Sequence, residues 1–403
     1  MRSPRRPARP TIYSPAFVLA FLANFCFFSN SSAFFLLPLY IKSRQGTEAA
    51  IGAIMGMYSG ASILMQPPMG AAINRWGRKP LMAVGASLAV LVAGVFALLP
   101  PLGPLLYVLR FLQGAAYAFF FVANYTFIAD TAPRERRGEA LGIFGLSGIV
   151  SGAVAPAIGE LIIHRAGFTP FFLFAAGLAV LALLMLGILP DTPRPKAEGA
   201  AGGVLRLLAQ PQLTTALIAT LVFGANMAAV FTFVPTFAQS VGIVRIGLFY
   251  LTYTTAAVLV RVFGGRLSDV AGRRRVILPG LLLLALGTLL LTGVASLTAL
   301  ALVGVLNGVA HGILYPALSA YIIDAVAPPD RGRAVGVFSA SFLLGHMSGS
   351  FGFGFLVEKS GYPTMFTTAA GLTMVGLLLS LLAKEGRTEG PHESPGPESR
   401  WES

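Results

Sequence analysis

The sequence predicts an all-α membrane protein: twelve transmembrane helices in two pseudo-symmetric six-helix bundles. Three observations predict it. Hydrophobic residues make up 55% of the 403 and charged residues only 11%, against roughly 25% charged in a soluble domain. Apolar runs of the length a bilayer requires, about 20 residues, recur along the whole chain. Landmarks of the first half return in the second at a nearly constant offset. A mean hydropathy of +0.76 leaves too few charges for a water-exposed surface, which excludes a soluble enzyme and a disordered protein. A single cysteine, Cys26, excludes a disulfide scaffold.

Residues 1–14 form a basic leader to the first span. The first bundle, 15–189, holds spans at 15–41, 49–73, 80–99, 103–128, 138–164 and 169–189. The first run is too long for a signal-peptide core. Each span mixes Leu, Ala, Phe and Val with small residues, and only a helix satisfies its own backbone in lipid over such a length. Residues 190–212, rich in Pro, Gly and charge, read as a flexible linker with a short surface helix at 204–209. The second bundle, 213–383, holds spans at 213–238, 244–268, 276–297, 299–324, 333–357 and 364–383. The polar, Pro-rich tail 384–403 is expected to be disordered.

An even number of spans puts both termini on one side, and charge says which. With the N-terminus cytoplasmic, 22 Lys and Arg fall inside and five outside: Lys42, Arg44, Arg165, Arg245 and Lys359. Arg110 and Arg261 lie within spans. This split accounts for most of the net charge of +13, so nucleic acid is not an expected partner. The expectation is a multi-pass protein of the cytoplasmic (inner) membrane.

The halves match residue by residue. Gly70 and Gly77 pair with Gly265 and Gly272 at offset 195. Gly114, Asp130, Gly138, Gly142 and Gly167 pair with Gly308, Asp324, Gly332, Gly336 and Gly361 at offset 194, as do Arg137 with Arg331 and Phe172 with Phe366. Six-span halves of equal topology are related by an axis along the membrane normal and meet at a central seam.

The charged turns carry a signature. Gly70, Asn74, Arg75, Gly77, Arg78 and Lys79 follow the second span, and Gly265, Asp269, Gly272, Arg273, Arg274 and Arg275 follow the eighth. Both resemble the G-x-x-x-D-[RK]-x-G-[RK]-[RK] motif of the major facilitator superfamily. The turns Asp130 to Gly138 and Asp324 to Gly332 extend the resemblance, which covers about residues 15–383. It implies a transporter whose turns latch the inner face closed while the outer face is open, with Asp269 facing the start of the fifth span. Asn74 stands where an acid is usual, which implies a weaker latch on that side. Positive-inside topology alone is the competing account of these turns.

Polar residues recur within the spans. Arg110, Gln113, Tyr117 and Asn124 share one face of the fourth, and Asn307, His311, Tyr315 and Ser319 one face of the tenth. Stacked polar side chains in hydrocarbon face a bundle interior or a cavity. The family resemblance implies that spans one, four, seven and ten line the central cavity, which adds Asn24, Asn30 and Ser31, then Asn226 and Thr232. Arg110-Phe-Leu-Gln113-Gly114 resembles the family's R-x-x-Q-G element, tied in some members to proton movement. A charged Arg there costs at least about 2.5 kcal/mol uncompensated; a helix-packing role is the alternative. His311 is expected to carry a proton, to hydrogen-bond substrate, or to be structural. Arg261 is expected to snorkel inward or to be structural, and His346 to pack at a helix interface.

Gly142, Pro156 and Gly159 in the fifth span fit the family's exporter motif, with Ser151 and Ala155 as small replacements and Glu160 in place of a glycine. Glu160, near the outer end, is expected at the exposed interface. The first span holds no acid, where many proton-coupled drug exporters have one. The expectation is a secondary transporter that exports a small organic molecule by rocking its halves, coupled to protons. It is expected to act as a monomer, with no cofactor, no metal and no enzymatic activity. The runner-up is an uptake symporter or facilitator for a sugar or organic acid; a non-transporting receptor of the same fold is a remote third.

Overall fold

The computed structural model describes residues 11–98, 103–191, 211–264, 271–327 and 330–382. The basic leader up to residue 10, most of the linker with its expected surface helix, the turn carrying Gly265 and Asp269, and the tail lie outside the described residues.

Every regular element among the described residues is a helix. The first bundle comprises α1 (Pro15–Ser43), α2 (Glu48–Met65), α3 (Arg78–Leu98), α4 (Pro104–Thr131), α5 (Arg137–Ala166) and α6 (Phe168–Ile188). The second comprises α7 (Pro211–Ser240), α8 (Gly247–Gly264), α9 (Arg273–Gly293) and α10 (Leu297–Asp324). A continuous stretch, Arg331–Leu382, then bends at Gly361, whose φ of 80° no helix contains. It is therefore two spans, α11 before that glycine and α12 after it, and twelve spans result.

Prolines shape the helices. The second span is shorter than the sequence pattern predicts. Pro67 and Pro68 remove two backbone donors, α2 ends at Met65, and a separate short helix, Met69–Trp76, carries the chain to Gly77. In α1 the Pro38 ring crowds the Phe34 carbonyl one turn back, and Phe34–Leu36 tightens to a 3₁₀ turn.

The repeat is visible in backbone geometry. Gly77 and Gly272, which are repeat mates, have φ of 90° and 91°; Gly167 and Gly361 have 85° and 80°. Only glycine adopts these values without strain. A Cβ on Gly114 would lie 2.1 Å from the Tyr58 carbonyl oxygen, and one on its mate Gly308 would lie 2.1 Å from that of Tyr253. The same bare contact thus seats α4 on α2 and α10 on α8. Arg78 pairs with Asp130, and the equivalent Arg273 meets Asp324 at 3.1 Å.

Helix α1 packs on α5 and α6, and α7 packs on α11 and α12. The bundles meet through α2 against α11 and α5 against α8. Large aliphatic side chains such as Leu98, Leu184, Ile188 and Leu302 project outward, as a lipid-facing surface requires.

Candidate functional site

The two seams are closed on one face and open on the other. The face where α1 begins and α12 ends also carries the charged turns, and is called here the basic face. At the opposite face the helices touch backbone to backbone. A Cβ on Gly52 would lie 2.1 Å from the Ser350 carbonyl oxygen, and one on Gly354 would lie 2.7 Å from that of Glu48. Gly247 lies directly against Ala157. At the basic face, a Cβ on Gly138, Gly142, Gly332 or Gly336 would meet nothing within 4 Å. These glycines of the first two turns of α5 and α11 face open space, and Arg137 and Arg331 are exposed.

Carboxylates seal the closed face. Glu160 is not at an exposed interface, as its position near the helix end suggested. It is 8% exposed, and its oxygens accept the Ile246 and Gly247 amides at 2.5 and 2.8 Å. It thereby caps the first turn of α8 from across the seam, where bare N–H groups and the helix dipole favour a negative charge. The approach of α8 through Gly247 buries it. Glu358 of α11 does the same for α2, accepting the Ala49 amide at 2.9 Å. The two caps join equivalent helix pairs, since α5 corresponds to α11 and α8 to α2, although Glu160 itself aligns with Gly354. Glu48 adds a buried knot, accepting from Lys42 Nζ at 2.8 Å, Tyr362 Oη at 2.7 Å and Thr236 Oγ1 at 3.4 Å.

Below this seal lie two aromatic walls. One is built by Phe28, Tyr58, Tyr117, Phe121 and Tyr125, whose successive ring centroids are 4.5–5.7 Å apart. The other is built by Phe223, Tyr253, His311, Tyr315, Phe338 and Phe342, at 5.1–5.9 Å. Tyr125 lies within electrostatic reach of both Tyr315 and Arg261 across the seam. Tyr117, Phe121, Tyr125, Arg261, His311 and Tyr315 are half-buried, although all six sit inside the bundle pair. That pattern is a chamber opening toward the basic face.

The polar residues singled out by sequence divide. Arg110, Tyr117, His311 and Tyr315 join the aromatic walls. The Arg110 guanidinium is 4% exposed. It donates to Gln113 Oε1 at 2.5 Å and lies 4.9 Å above the Tyr58 ring. His311 Nδ1 and the Tyr253 hydroxyl share a hydrogen bond of 2.5 Å. The buried asparagines turn away from the seam instead. Asn24 donates to Ser147 and receives Asn124, tying α1, α4 and α5 together. Asn30 donates to the Ala175 carbonyl of α6. Asn226 links Thr373 and Thr288, and Asn307 donates to Val303 within α10. An amide in hydrocarbon takes the nearest partners, and here those lie within its own bundle.

The sequence reading missed Tyr58, Tyr125 and Tyr253. A signal existed: Tyr58 and Tyr253 are themselves repeat mates, and Tyr125 continues the 117–121 face of α4. His346 of α11 hydrogen-bonds Ser59 of α2 at 3.0 Å, the interface position expected for it. Arg261 lies 5.2 Å over the Tyr315 ring in the chamber wall. Among the described residues no cluster of metal-ligating side chains is present.

A model of the Major Facilitator Superfamily matches residues 19–251 and again 216–403, so both halves carry the family pattern. The chain belongs to the Major Facilitator Superfamily. It is a multi-pass membrane transporter for a small molecule, not an enzyme. The Staphylopine export protein of Staphylococcus aureus is 24% identical, over 91% of this chain and 96% of the relative. Multidrug resistance protein 1 of Bacillus subtilis is 26% identical, over 86% and 90%. A crystallised variant of the nucleoside transporter NupG superposes with a TM-score of 0.79 at 16% identity, covering 91% of this chain and 99% of that one; this likeness establishes the fold.

Proposed function

We propose that this superfamily transporter exports a small organic molecule by alternating access, exchanging it for protons. The basic face is cytoplasmic on the 22-to-5 distribution of Lys and Arg, and the protein acts as a monomer in the cytoplasmic membrane. One observation carries the reading. The seams are packed backbone to backbone at the outer face and free at Gly142 and Gly336, so the chamber stands open to the side from which an exporter loads. Rocking about the seam would break the Glu160 and Glu358 caps, close α5 on the α8 side and α2 on the α11 side at the inner face, and present the chamber outward. Relatives named for export and multidrug resistance favour efflux over uptake.

His311 is the titratable group on the chamber wall suited to carry the proton, since the lining helices hold no carboxylate short of their ends. Two measurements test this. Single cysteines in place of Ser350, buried at the outer seam, and Gly336, each introduced with Cys26→Ser, should exchange accessibility to a membrane-impermeant thiol reagent as the transporter cycles. A permanently sealed outer face would overturn the proposal. His311→Ala should flatten the pH dependence of transport, and an unchanged profile would remove His311 from coupling.

A further inference from the structure

We infer that the cargo is an organic anion whose charge docks at Arg261 while its flat apolar body lies between the aromatic walls. This rests on the transporter reading above and adds the substrate class.

Among the described residues the chamber carries positive charge and no counter-charge. The Arg261 guanidinium lies 5.2 Å over the Tyr315 ring. Its helix, α8, packs on α5 of the other bundle, so this charge stands on a helix of the seam that opens and closes. Arg110 adds a second positive charge nearer the outer seal, held by Gln113. Among the described residues neither arginine has an acidic partner within 4.0 Å. The reason is in the sequence: α1, α4, α7, α8 and α10 contain no Asp or Glu until their final residues at most.

An arginine does not shed its proton in a protein, and a cation at membrane depth requires compensation. Tyrosine rings supply part of it. The Arg261 Nε has no hydrogen-bond partner, and a half-buried guanidinium can take a carboxylate, sulfonate or phosphate in two parallel bonds. A cationic cargo would instead add a third positive charge to a low-dielectric chamber. An anion also has a driving force of its own. An inside-negative potential of 100 mV favours an outside excess of about 50-fold per negative charge, with no carboxylate relay needed.

The test uses the full chain in liposomes and two probes sharing one ring system, 2-naphthalenesulfonate and (2-naphthylmethyl)trimethylammonium. The expected result is saturable sulfonate efflux, accelerated by an inside-negative potential with no pH gradient imposed. Arg261→Gln should lower kcat/KM for the sulfonate by about 10- to 100-fold, the scale of a charged hydrogen bond, with partial recovery in Arg261→Lys. Each variant is first shown to keep the parent's cysteine-accessibility pattern. Preferential transport of the ammonium probe, transport of neither, or unaltered sulfonate kinetics in Arg261→Gln overturns the inference. The accessibility experiment needs no cargo. Failure of alternation there sinks the transporter reading, whereas alternation without anion preference sinks only the substrate class.

Discussion

Glu160 holds two backbone amides of the other bundle with one carboxylate, at a position where the exporter motif has glycine. Hydrogen bonds from backbone donors to a charged acceptor contribute about 1.5–3 kcal/mol, and this contribution exists only while the outer face is closed. Glu160→Gln keeps one acceptor and sets an NH₂ group against the second amide. It should shift the balance toward the outward-open state by roughly 10-fold or more, where about 1.4 kcal/mol is tenfold. Spin labels across the outer ends of α5 and α8 would report this, and an unchanged distance distribution would discard the cap as a lock. The buried asparagines teach the opposite lesson. Asn24 and Asn226 share the in-membrane polarity that singled out His311, yet each is consumed by hydrogen bonds inside its bundle. Residue type and depth locate a polar group; only its partners say whether it is free to meet a ligand.

Among the elements, the four seam helices differ from the rest in where their glycines fall. Gly52 is pressed against the backbone of α11, and neither backbone can yield to a Cβ. Overpacking of this kind costs about 1–3 kcal/mol, so Gly52→Ala should bias the transporter toward the outward-open state. Gly336 lies in open space now but on the surface that must close when the molecule rocks. Gly336→Val should therefore leave thermal stability nearly intact while slowing turnover about 10-fold or more, by trapping the inward-open state. Equal thermal destabilisation by both variants would show that the two positions serve packing alone.

On the scale of the whole molecule, a rocking transporter needs two alternative locks, one per face. The outer lock is engaged, through Glu160, Glu358 and the Glu48 knot. At the inner face the turn arginines Arg78 and Arg273 pair with acids of their own bundles, Asp130 and Asp324, and the start of α5 is free. We propose that the lock on that face is Asp269, which lies outside the described residues, with Asn74 as its uncharged counterpart. A charge at a helix N-terminus contributes about 0.3–2 kcal/mol. Asp269→Asn should thus impair transport more than Asn74→Asp alters it, measured as initial rates in vesicles; comparable small effects would count against a latch there.

Length, hydropathy and the offset of 194 to 195 residues determined the helical class, the twelve spans and the duplication, because membrane insertion imposes a strong local rule on every segment. The same offset announced the paired glycines, and φ agrees to within a degree at Gly77 and Gly272. What the tertiary structure decided is which face is shut, which polar groups are spent and which carboxylate crosses the seam. Glu160 looked like an interfacial acid because nothing in its neighbourhood along the chain names α8 as its partner. The state of a rocking molecule depends on contacts between residues some 86 to 309 positions apart, and no local pattern encodes which of two such sets is formed.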